Sequence, residues 1–423
     1  MKWDGQEFDL LSTKESTSST EQESNERFCF WKEVLKSMSG SGIVVSASDQ
    51  QVTEVMNLLK VLRFLENELP IQIVHKGDLN RDSQKRIIEI GRGVDTPHDK
   101  FKQNVWFVDV SNCLHIDHLN KFTRFKNKWL SVLFSSFEEI ILMDADTVPL
   151  VKPSTLLQNE KYKRSGALFF KDRALSETIW SSEVYLYKSL LPNNLEQRVF
   201  GTALQTKRIF ENTFFRLNRR HFMESGLVVL NRNHHMTGLL MGCQLNMWDL
   251  TSKPVHGDKE LFWLGQLLSG QEDFEFANKH AAAIGQVEQS GKIKKVCSTQ
   301  VAHFDDNGEL IWINGGLSTC KKNSACYDYS RFKNLRGNFN SCLSLDSYYQ
   351  HPIAPKVALI TAPKEYSMFQ RSLGWKQQPD LGCLGYFWCT HSDSNAENDE
   401  LIEFNSTFRE YFQNLANIWT GVN

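Results

Sequence analysis

No long apolar run occurs in this chain of 423 residues, and none approaches the roughly 18 residues that a membrane-spanning helix needs. The opening residues, MKWDGQEFDLLSTKES, also lack the apolar core of a secretory signal peptide. Neither sign of charge dominates, because 48 Lys and Arg stand beside 50 Asp and Glu. This balance argues against a protein whose main partner is a nucleic acid. The sequence as written therefore predicts a soluble globular protein.

Aromatic residues are abundant, and they exclude a disordered or fibrous chain. There are 28 Phe and 11 Trp, and 41% of all residues are hydrophobic. The length suffices for one large domain or two ordinary ones with a substantial core. Residues 12–27 are the exception, since they are polar and contain no aliphatic side chain. We expect residues 1–28 to form a polar, disordered, stem-like segment.

Cysteines are concentrated in the last third of the chain. Six of the nine lie between Cys297 and Cys389. Zinc sites need cysteine pairs about two to four residues apart, but Cys320 and Cys326 enclose five residues, and no close histidine pair lies among these six cysteines. The pattern favours a disulfide framework over zinc or over reduced, buried thiols, and it leaves the connectivity open.

Strands and helices are predicted to alternate from about residue 42. Apolar runs predict strands near residues 43–45, 71–74, 105–108 and 140–143, and helical spacing predicts helices near residues 52–65, 85–90 and 122–134. Such alternation indicates a largely parallel α/β sheet, in which ligands bind beyond the carboxyl ends of the strands. We expect a main domain over residues 29–316 and a Cys-rich extension over residues 317–423 packed on it.

The most informative motif is Asp144-Ala145-Asp146, at the end of the apolar strand over residues 140–143. If the extended conformation persists, the two carboxylates share one face. Adjacent carboxylates repel unless a cation lies between them, and their oxygens suit Mg²⁺ or Mn²⁺, which in turn suit a diphosphate. The alternative is that these acids cap the following turn. The position at the end of a buried strand favours the metal site.

Three further segments contain residues that are candidates for binding a metal or a ligand. His303 lies in Val301-Ala302-His303-Phe304 and could complete a mixed oxygen and nitrogen site. Glu224-Ser225-Gly226 precedes an apolar strand, and Gly257-Asp258 opens a helix. Glycine at such places allows a ligand to approach the backbone closely. Each segment also has a plain interpretation, as a buried core histidine or as ordinary turn chemistry.

Together these motifs resemble the fungal α-1,3-mannosyltransferases, glycosyltransferase family 71. Their order and spacing match over roughly residues 42–316. The resemblance is carried by residues 128–139, which lead into the Asp-x-Asp strand, and by residues 166–173, 224–226, 257–265 and 303–315. It implies an α/β fold of the GT-A type, with a mostly parallel central sheet and a Cys-rich C-terminal region.

The resemblance also implies an activity and a location. Such enzymes move mannose from GDP-mannose to the 3-hydroxyl of a terminal mannose on N- or O-linked glycans, using Mn²⁺, with Mg²⁺ as a possible substitute. They are type II membrane proteins of the Golgi lumen. No anchor is seen in this sequence, although residues 12–27 would suit a stem. The glycosylation sequon Asn405-Ser406-Thr407 and the cysteines fit a secretory lumen.

Residue roles follow from the resemblance by position. Asp144 and Asp146 would hold the metal together with His303, and Asp144 would also face the ribose or sugar of the donor. Lys128 and Arg173 would contact the diphosphate or the donor sugar.

A second group would lie near the transferred mannose and the acceptor. Ser225 and Gly226 would contact the donor, and Glu224 or Asp258 would assist catalysis. Donor and expected product are both α-linked, so configuration is retained. Retention requires a carboxylate nucleophile or attack on the face that the leaving group departs from, and the sequence does not choose between them.

Two other functions remain open from the sequence. Asp144-Ala145-Asp146 also resembles motif one of haloacid dehalogenase-type phosphatases, with Asp144 as nucleophile, Asp146 as acid and Asp305-Asp306 as a magnesium pair. A long βα segment precedes the motif, where such phosphatases usually begin. The other alternative is a catalytically inactive glycan-binding protein on a transferase scaffold.

Overall fold

A computed structural model describes residues 30–93, 101–202, 207–363, 374–393 and 398–422 of the chain. The polar segment predicted over residues 1–28 lies outside the described residues. Within those ranges, no helix combines the length and the apolar character needed to cross a membrane.

The described residues contain short and medium-length helices. They are α1 (Phe30–Ser37), α2 (Val52–Phe64), α3 (Arg81–Arg92), α4 (Ile116–Leu119), α5 (Asn127–Phe134), α6 (Glu160–Ser165), α7 (Ser181–Ser189), α8 (Asn194–Phe200), α9 (Lys207–Phe210), α10 (Thr213–Leu217), α11 (Arg232–Met247), α12 (Asp249–Ser252), α13 (Lys259–Leu268), α14 (Ala325–Arg331), α15 (Lys333–Asn338), α16 (Cys342–Gln350) and α17 (Ser406–Thr420). The helix predicted over residues 122–134 therefore begins later, at Asn127. Arg124 has a φ of 52°, which no α-helix accommodates.

Strands are distributed along the whole described chain. They are β1 (Ser41–Ser46), β2 (Ile71–His75), β3 (Val105–Asp109), β4 (Glu139–Met143), β5 (Thr147–Pro149), β6 (Ala167–Lys171), β7 (Met223–Asn231), β8 (Glu275–His280), β9 (Ala282–Gly285), β10 (Val287–Ser290), β11 (Ile293–Ser298), β12 (Val301–Phe304), β13 (Leu310–Asn314), β14 (Val357–Ile360), β15 (Gly374–Gln377), β16 (Trp388–Asp393) and β17 (Glu400–Glu403). The predicted α/β alternation up to β4 is confirmed.

A seven-stranded sheet forms the centre, in the order β3-β2-β1-β4-β7-β6-β8. Neighbours from β3 to β4 pair in parallel, and so do β6 and β8. Strand β7 runs antiparallel to both β4 and β6. The sheet is thus mixed, and β7 begins at the edge where β1, β4 and β6 end.

Both faces of this sheet are covered, which explains the continuous apolar runs of β1 and β4. Ile43 and Ile141 belong to one core cluster, which also contains residues of α2 and α17. Val44 and Leu142 belong to the opposite cluster, which contains Trp263 and other residues of α5, α11 and α13. Burial on both faces fixes the strand ends, and with them the positions of the loops at the carboxyl edge.

Two smaller sheets include strands from both sides of the boundary predicted at residues 316–317. One has the order β17-β14-β9-β12-β13-β5, and the other has the order β10-β11-β16-β15. Within the described residues, all named pairs in these two sheets are antiparallel. The last hundred residues therefore share sheets with the preceding ones, and the boundary itself stays a prediction.

The disulfide prediction is confirmed, and the structure resolves the connectivity. The pairs are Cys297–Cys389, Cys320–Cys383 and Cys326–Cys342. The first joins β11 to β16, and the second connects the segment after β13 to the segment before β16. Both bridges tie the C-terminal residues to the rest of the fold.

Candidate active site

The loop between β4 and β5 contains Asp144 and Asp146. The chain does not remain extended here, because Thr147 N donates a hydrogen bond to Asp144 O at 3.0 Å and closes a turn. Both aspartates nevertheless line a cleft of about 1210 Å³. The two carboxylates thus share the cleft through a turn, rather than through the period-two alternation that the sequence predicted.

Backbone hydrogen bonds hold this turn in place. Asp144 N donates to Gly226 O at 2.8 Å, and Thr147 Oγ1 donates to the same oxygen at 2.7 Å. Gly315 N and Gly316 N donate to Asp146 O at 3.1 and 2.8 Å. The loop is therefore positioned by β7 on one side and by the end of β13 on the other, independently of the two carboxylates.

Lys128 connects the cleft to the start of β7. Its side chain is 8% exposed, and its Nζ lies 2.9 Å from Asp144 Oδ1 and 3.4 Å from Asp258 Oδ2. The same nitrogen donates to Ser225 O and Ser225 Oγ, both at 3.0 Å. The predicted residues Lys128, Asp144, Ser225 and Asp258 therefore form one hydrogen-bonded cluster.

This cluster shifts the protonation equilibria of its members. Burial, together with the carboxylates of Asp146 and Asp258, raises the pKa of Asp144 to about 7 against the opposing effect of Lys128. Burial would lower the pKa of Lys128, but Asp144 and Asp258 raise it above its ordinary value. Lys128 is thus a permanent cation, while negative charge on Asp144 is costly without a further positive partner.

Lys321 is a site residue that the sequence analysis missed. Its Nζ lies 3.4 Å from Asp146 Oδ2 and 5.0 Å from the centre of the Tyr386 ring. Burial alone would lower the pKa of Lys321, but the negative charge of Asp146 outweighs it, and the pKa lies above its ordinary value. The only signal in the sequence was its place directly after Cys320, a residue of the bridge to Cys383. Each aspartate of the motif therefore has its own lysine.

Two candidates that the sequence assigns to the transferred sugar are Glu224, at the start of β7, and Asp258, directly before α13. Glu224 Oε1 accepts hydrogen bonds from Gly226 N and Asn314 Nδ2, both at 3.0 Å. Asp258 is 2% exposed, and its Oδ2 accepts from Ser225 Oγ at 3.1 Å. A Cβ atom at Gly226 would lie 2.7 Å from Asn314 Nδ2, so this glycine is required for close packing. Glu224, Ser225, Gly226 and Asp258 do not line the cleft, and their predicted contacts with donor and acceptor stay predictions.

Arg173 lies apart from the two aspartates and does not line the cleft. Its Nε is 3.3 Å from Asp172 Oδ1, and its guanidinium packs over the rings of Trp375 and Trp388. Asp172 also pairs with Lys259 in the interior. The strand β6 that precedes Arg173 is separated from β4 by β7, which accounts for the distance from the motif.

The structure does not bring His303 to the two aspartates. Its ring stacks on Trp312 with a centroid distance of 3.9 Å, and Trp312 in turn pairs with Pro149 on β5. His303 is buried, and within the described ranges its Nε2 has no hydrogen-bond partner. In the same residues, no three His, Cys, Asp or Glu side chains form a group that could hold a metal ion. The expected set of three protein ligands is not assembled, because β12 lies two strands away from β5.

The pair proposed for a phosphatase also lies elsewhere. Asp306 Oδ2 is 2.8 Å from Lys161 Nζ, and Asp305 Oδ1 accepts a hydrogen bond from Glu309 N at 2.8 Å in a turn. Neither residue lines the cleft. Asp305 and Asp306 therefore stabilise local structure, which removes the support for a magnesium site shared with Asp144.

Comparison with known proteins identifies the family. The family described as "Mannosyltransferase putative" matches residues 40–305, which is more than half of the chain. Alpha-1,3-mannosyltransferase MNT2 of Saccharomyces cerevisiae is 36% identical over 410 residues, covering 92% of this chain and 71% of that protein. The chain belongs to the fungal α-1,3-mannosyltransferase family.

A second member of this mannosyltransferase family is less similar. Alpha-1,3-mannosyltransferase MNN1 of Saccharomyces cerevisiae is 28% identical, covering 93% of this chain and 57% of that protein. Among solved structures, the mannosyltransferase Ktr4p from S. cerevisiae aligns with a TM-score of 0.35 and 11% identity, covering 56% of this chain and 68% of that chain. This TM-score is too low to establish a shared fold, and the sequence relatives alone establish the family.

A substitution tests the position of His303 in this mannosyltransferase. Burial lowers the pKa of His303 to about 3, so the folded protein keeps the ring neutral where the unfolded chain, with a pKa near 6.5, binds a proton. The contribution of the neutral His303 ring to the free energy of unfolding is complete above pH 6.5 and is lost as the pH falls from 6.5 toward 3. We expect His303→Phe, which keeps a ring to stack on Trp312, to reduce the acid dependence of the unfolding free energy by about 1.4 kcal/mol per pH unit.

Denaturant unfolding at several pH values between 6.5 and 4 measures this change. His118→Phe, at an exposed histidine, is the matched control and should leave the wild-type slope intact. If Mn²⁺ strengthens binding of GDP to the wild-type protein, it should strengthen binding to His303→Phe by the same factor. Loss of that response would show that His303 acts as a metal ligand after all.

Proposed function

We propose that this chain is a retaining α-1,3-mannosyltransferase of GT-A type, which moves mannose from GDP-mannose to the 3-hydroxyl of a terminal α-mannose on an N- or O-linked glycan. The names of its relatives support the reaction. The observation that carries the proposal is the pairing of Asp144 with Lys128 and of Asp146 with Lys321 in one cleft. This arrangement offers carboxylates to a cation and ammonium groups to the charge of a diphosphate.

The same residues fit a divalent cation, Mn²⁺ or Mg²⁺. Such ions are often held by one or two carboxylates, with substrate phosphates and water completing the coordination, so Asp144 and Asp146 suffice without His303. Burial, together with the neighbouring carboxylates of Asp146 and Asp258, raises the pKa of Asp144, so a bound cation would favour its ionised form. When bound, the cation would supply Lewis-acid chemistry by neutralising the charge that develops on the departing GDP.

Side chains of the protein would position the reacting groups. Lys128 is held by Ser225 and Asp258, and it orients the Asp144 carboxylate by its contact at 2.9 Å. Lys321 would exchange Asp146 for an oxygen of the diphosphate when the donor binds. Both roles depend on ammonium groups whose raised pKa keeps them charged at neutral pH.

Two carboxylates remain for the transferred sugar. Asp258 is buried and engaged with Ser225 and Lys128, so we assign it a positioning role. Glu224 is partly exposed and lies at the start of β7, and we assign it to the mannose. Either it attacks the anomeric carbon to form a covalent intermediate, or it stabilises positive charge there while the acceptor attacks from the face of the leaving group.

The proposal includes the location, a Golgi lumen reached as a type II membrane protein. Three disulfides support an oxidising compartment. Asn405 of the sequon is exposed at the start of α17, where its side chain accepts a hydrogen bond from Phe408 N at 2.8 Å. A shift in mass on treatment of the cellular protein with an N-glycosidase would test this part of the proposal.

A donor panel tests the activity. The purified protein is incubated with α-mannobiose, with Mn²⁺ or EDTA, and with GDP-mannose, UDP-glucose, UDP-galactose or UDP-GlcNAc. We expect transfer from GDP-mannose only, in the presence of Mn²⁺, with an α-1,3 bond in the product by linkage analysis. Donor binding without turnover would favour an inactive glycan-binding protein. Hydrolysis of an aryl phosphate with Mg²⁺ and no transfer would revive the phosphatase interpretation.

A further inference from the structure

The cleft extends beyond the two aspartates to the carboxyl end of β2. Lys76 and Asp78 line it there, and the same two residues line a smaller recess together with His75 and Asn127. The proposed metal and diphosphate site does not use any of these four side chains. They form a second cluster of polar groups at this end of the cleft, with His75 in the recess only, and we call it the β2-end cluster.

Lys76 and Asp78 form an ion pair that faces the cleft. Asp78 Oδ2 lies 3.1 Å from Lys76 Nζ, and Asp78 Oδ1 accepts a hydrogen bond from Lys76 N at 3.1 Å. The Asp78 side chain is 30% exposed and the Lys76 side chain is 16% exposed, so both are partly accessible from the cleft. A carboxylate oxygen has two lone pairs and an ammonium group has three protons. The pair therefore retains both acceptor and donor capacity for a ligand.

Two atoms of the cluster lack partners within the described residues. They are His75 Nε2 and Asn127 Oδ1, both buried. His75 is 5% exposed, and its Nδ1 accepts a hydrogen bond from Gly77 N at 3.2 Å, so in the neutral ring Nε2 carries the proton. Burial lowers the pKa of His75, which favours the neutral ring. Asn127 lines the cleft as well as the recess, so its unpartnered Oδ1 leaves a free acceptor at this end of the cleft, whereas His75 lines only the recess.

The distance to the aspartates matches the size of a nucleotide. The sheet order places β1 between β2 and β4, so the ends of β2 and β4 are two strand spacings apart, or about 9.5 Å. A diphosphate bound at Asp144 and Asp146 would direct its nucleoside along this edge. The ribose would pass the end of β1, and the base would reach the β2-end cluster.

We propose that Asp78 and Lys76 read the edge of guanine in the donor nucleotide. This inference rests on the proposed function, which supplies GDP-mannose as donor. Guanine presents two adjacent donors, N1–H and the 2-amino group, beside the acceptor O6. Asp78 accepts from the two donors, and Lys76 donates to O6. Adenine, uracil and cytosine do not offer two adjacent N–H groups to one carboxylate, so the pair selects guanine.

Nucleotide binding by titration calorimetry tests the assignment separately from transfer. The probes are GDP, inosine diphosphate, which lacks the 2-amino group, and UDP, all with Mn²⁺. Wild type should bind GDP about tenfold or more tightly than inosine diphosphate, because a hydrogen bond to a carboxylate is lost. Asp78→Asn should bind GDP no more tightly than it binds inosine diphosphate, since an amide cannot accept from both donors.

A second variant and a control complete the design. Lys76→Met should weaken binding of GDP and of inosine diphosphate by the same factor, because both contain O6, and it should leave their ratio intact. Asp109→Asn, at the end of β3 and outside the cleft, should bind as wild type does. Thermal unfolding of each variant confirms that it is folded.

The outcomes separate the inference from the proposed function. If wild type prefers GDP and folded Asp78→Asn keeps the wild-type ratio of GDP to inosine diphosphate, the role of Asp78 is refuted while the proposed donor stands. If wild type binds UDP as tightly as GDP, the proposed donor fails, and the guanine assignment fails with it. The assignment is supported if Asp78→Asn loses the preference for GDP over inosine diphosphate while Lys76→Met and Asp109→Asn keep it.

Discussion

Asp146→Asn is expected to lower the rate of mannose transfer from GDP-mannose on the order of 10³-fold while the protein remains folded. The substitution removes the negative charge that we propose binds the cation, and this charge lies 3.4 Å from the Lys321 ammonium. The loop should keep its conformation, because Gly315 N and Gly316 N bind the backbone oxygen of Asp146 and not its side chain. Initial rates with Mn²⁺ and the thermal unfolding temperature measure the two parts of the prediction.

Asp117→Asn is the matched control, since the Asp117 side chain is 77% exposed and does not line the cleft. It should transfer mannose at the wild-type rate. A folded Asp146→Asn enzyme with undiminished transfer would refute the metal assignment. A variant that loses transfer only at low Mn²⁺ and recovers at high Mn²⁺ would confirm that the side chain contributes affinity for the cation.

Lys128→Met is expected to destabilise the protein by about 3–5 kcal/mol, the usual cost of leaving buried charge without its partner. The methionine removes the positive charge that lies between Asp144 and Asp258, and it leaves Ser225 O without this donor. Both carboxylates would then be most costly when ionised. The deficit should therefore shrink as the pH is lowered and Asp144 binds a proton.

Denaturant unfolding at pH 7.5 and at pH 5 measures the deficit and its pH dependence. Lys121→Met, at an exposed lysine near the same helix, should lie close to wild type at both values. Adding Asp258→Asn to Lys128→Met should recover part of the lost stability, because it removes one of the unpaired charges. A Lys128→Met protein as stable as wild type would show that the three side chains are not electrostatically coupled.

Local sequence patterns determined much of the central sheet and the place of the site. The apolar runs of β1 and β4 are continuous because both faces of the sheet are covered, so their positions could be predicted from sequence alone. Asp144 and Asp146 follow directly from the end of β4, and parallel strands collect such residues at one edge. The family resemblance and the disulfides also depended on short patterns, which do not need a tertiary structure.

Tertiary structure alone decided which distant residues meet. Lys321 contacts Asp146 across 175 positions of sequence, and no periodicity relates the two. His303 and Arg173 were assigned to the site by their motifs, but strand order places His303 against Trp312 and Arg173 against two tryptophans beyond β7. The physical reason is the same in each case. A strand's own sequence fixes which of its faces is buried, whereas its neighbours in a sheet are chosen by packing and hydrogen bonds with segments that lie far away along the chain.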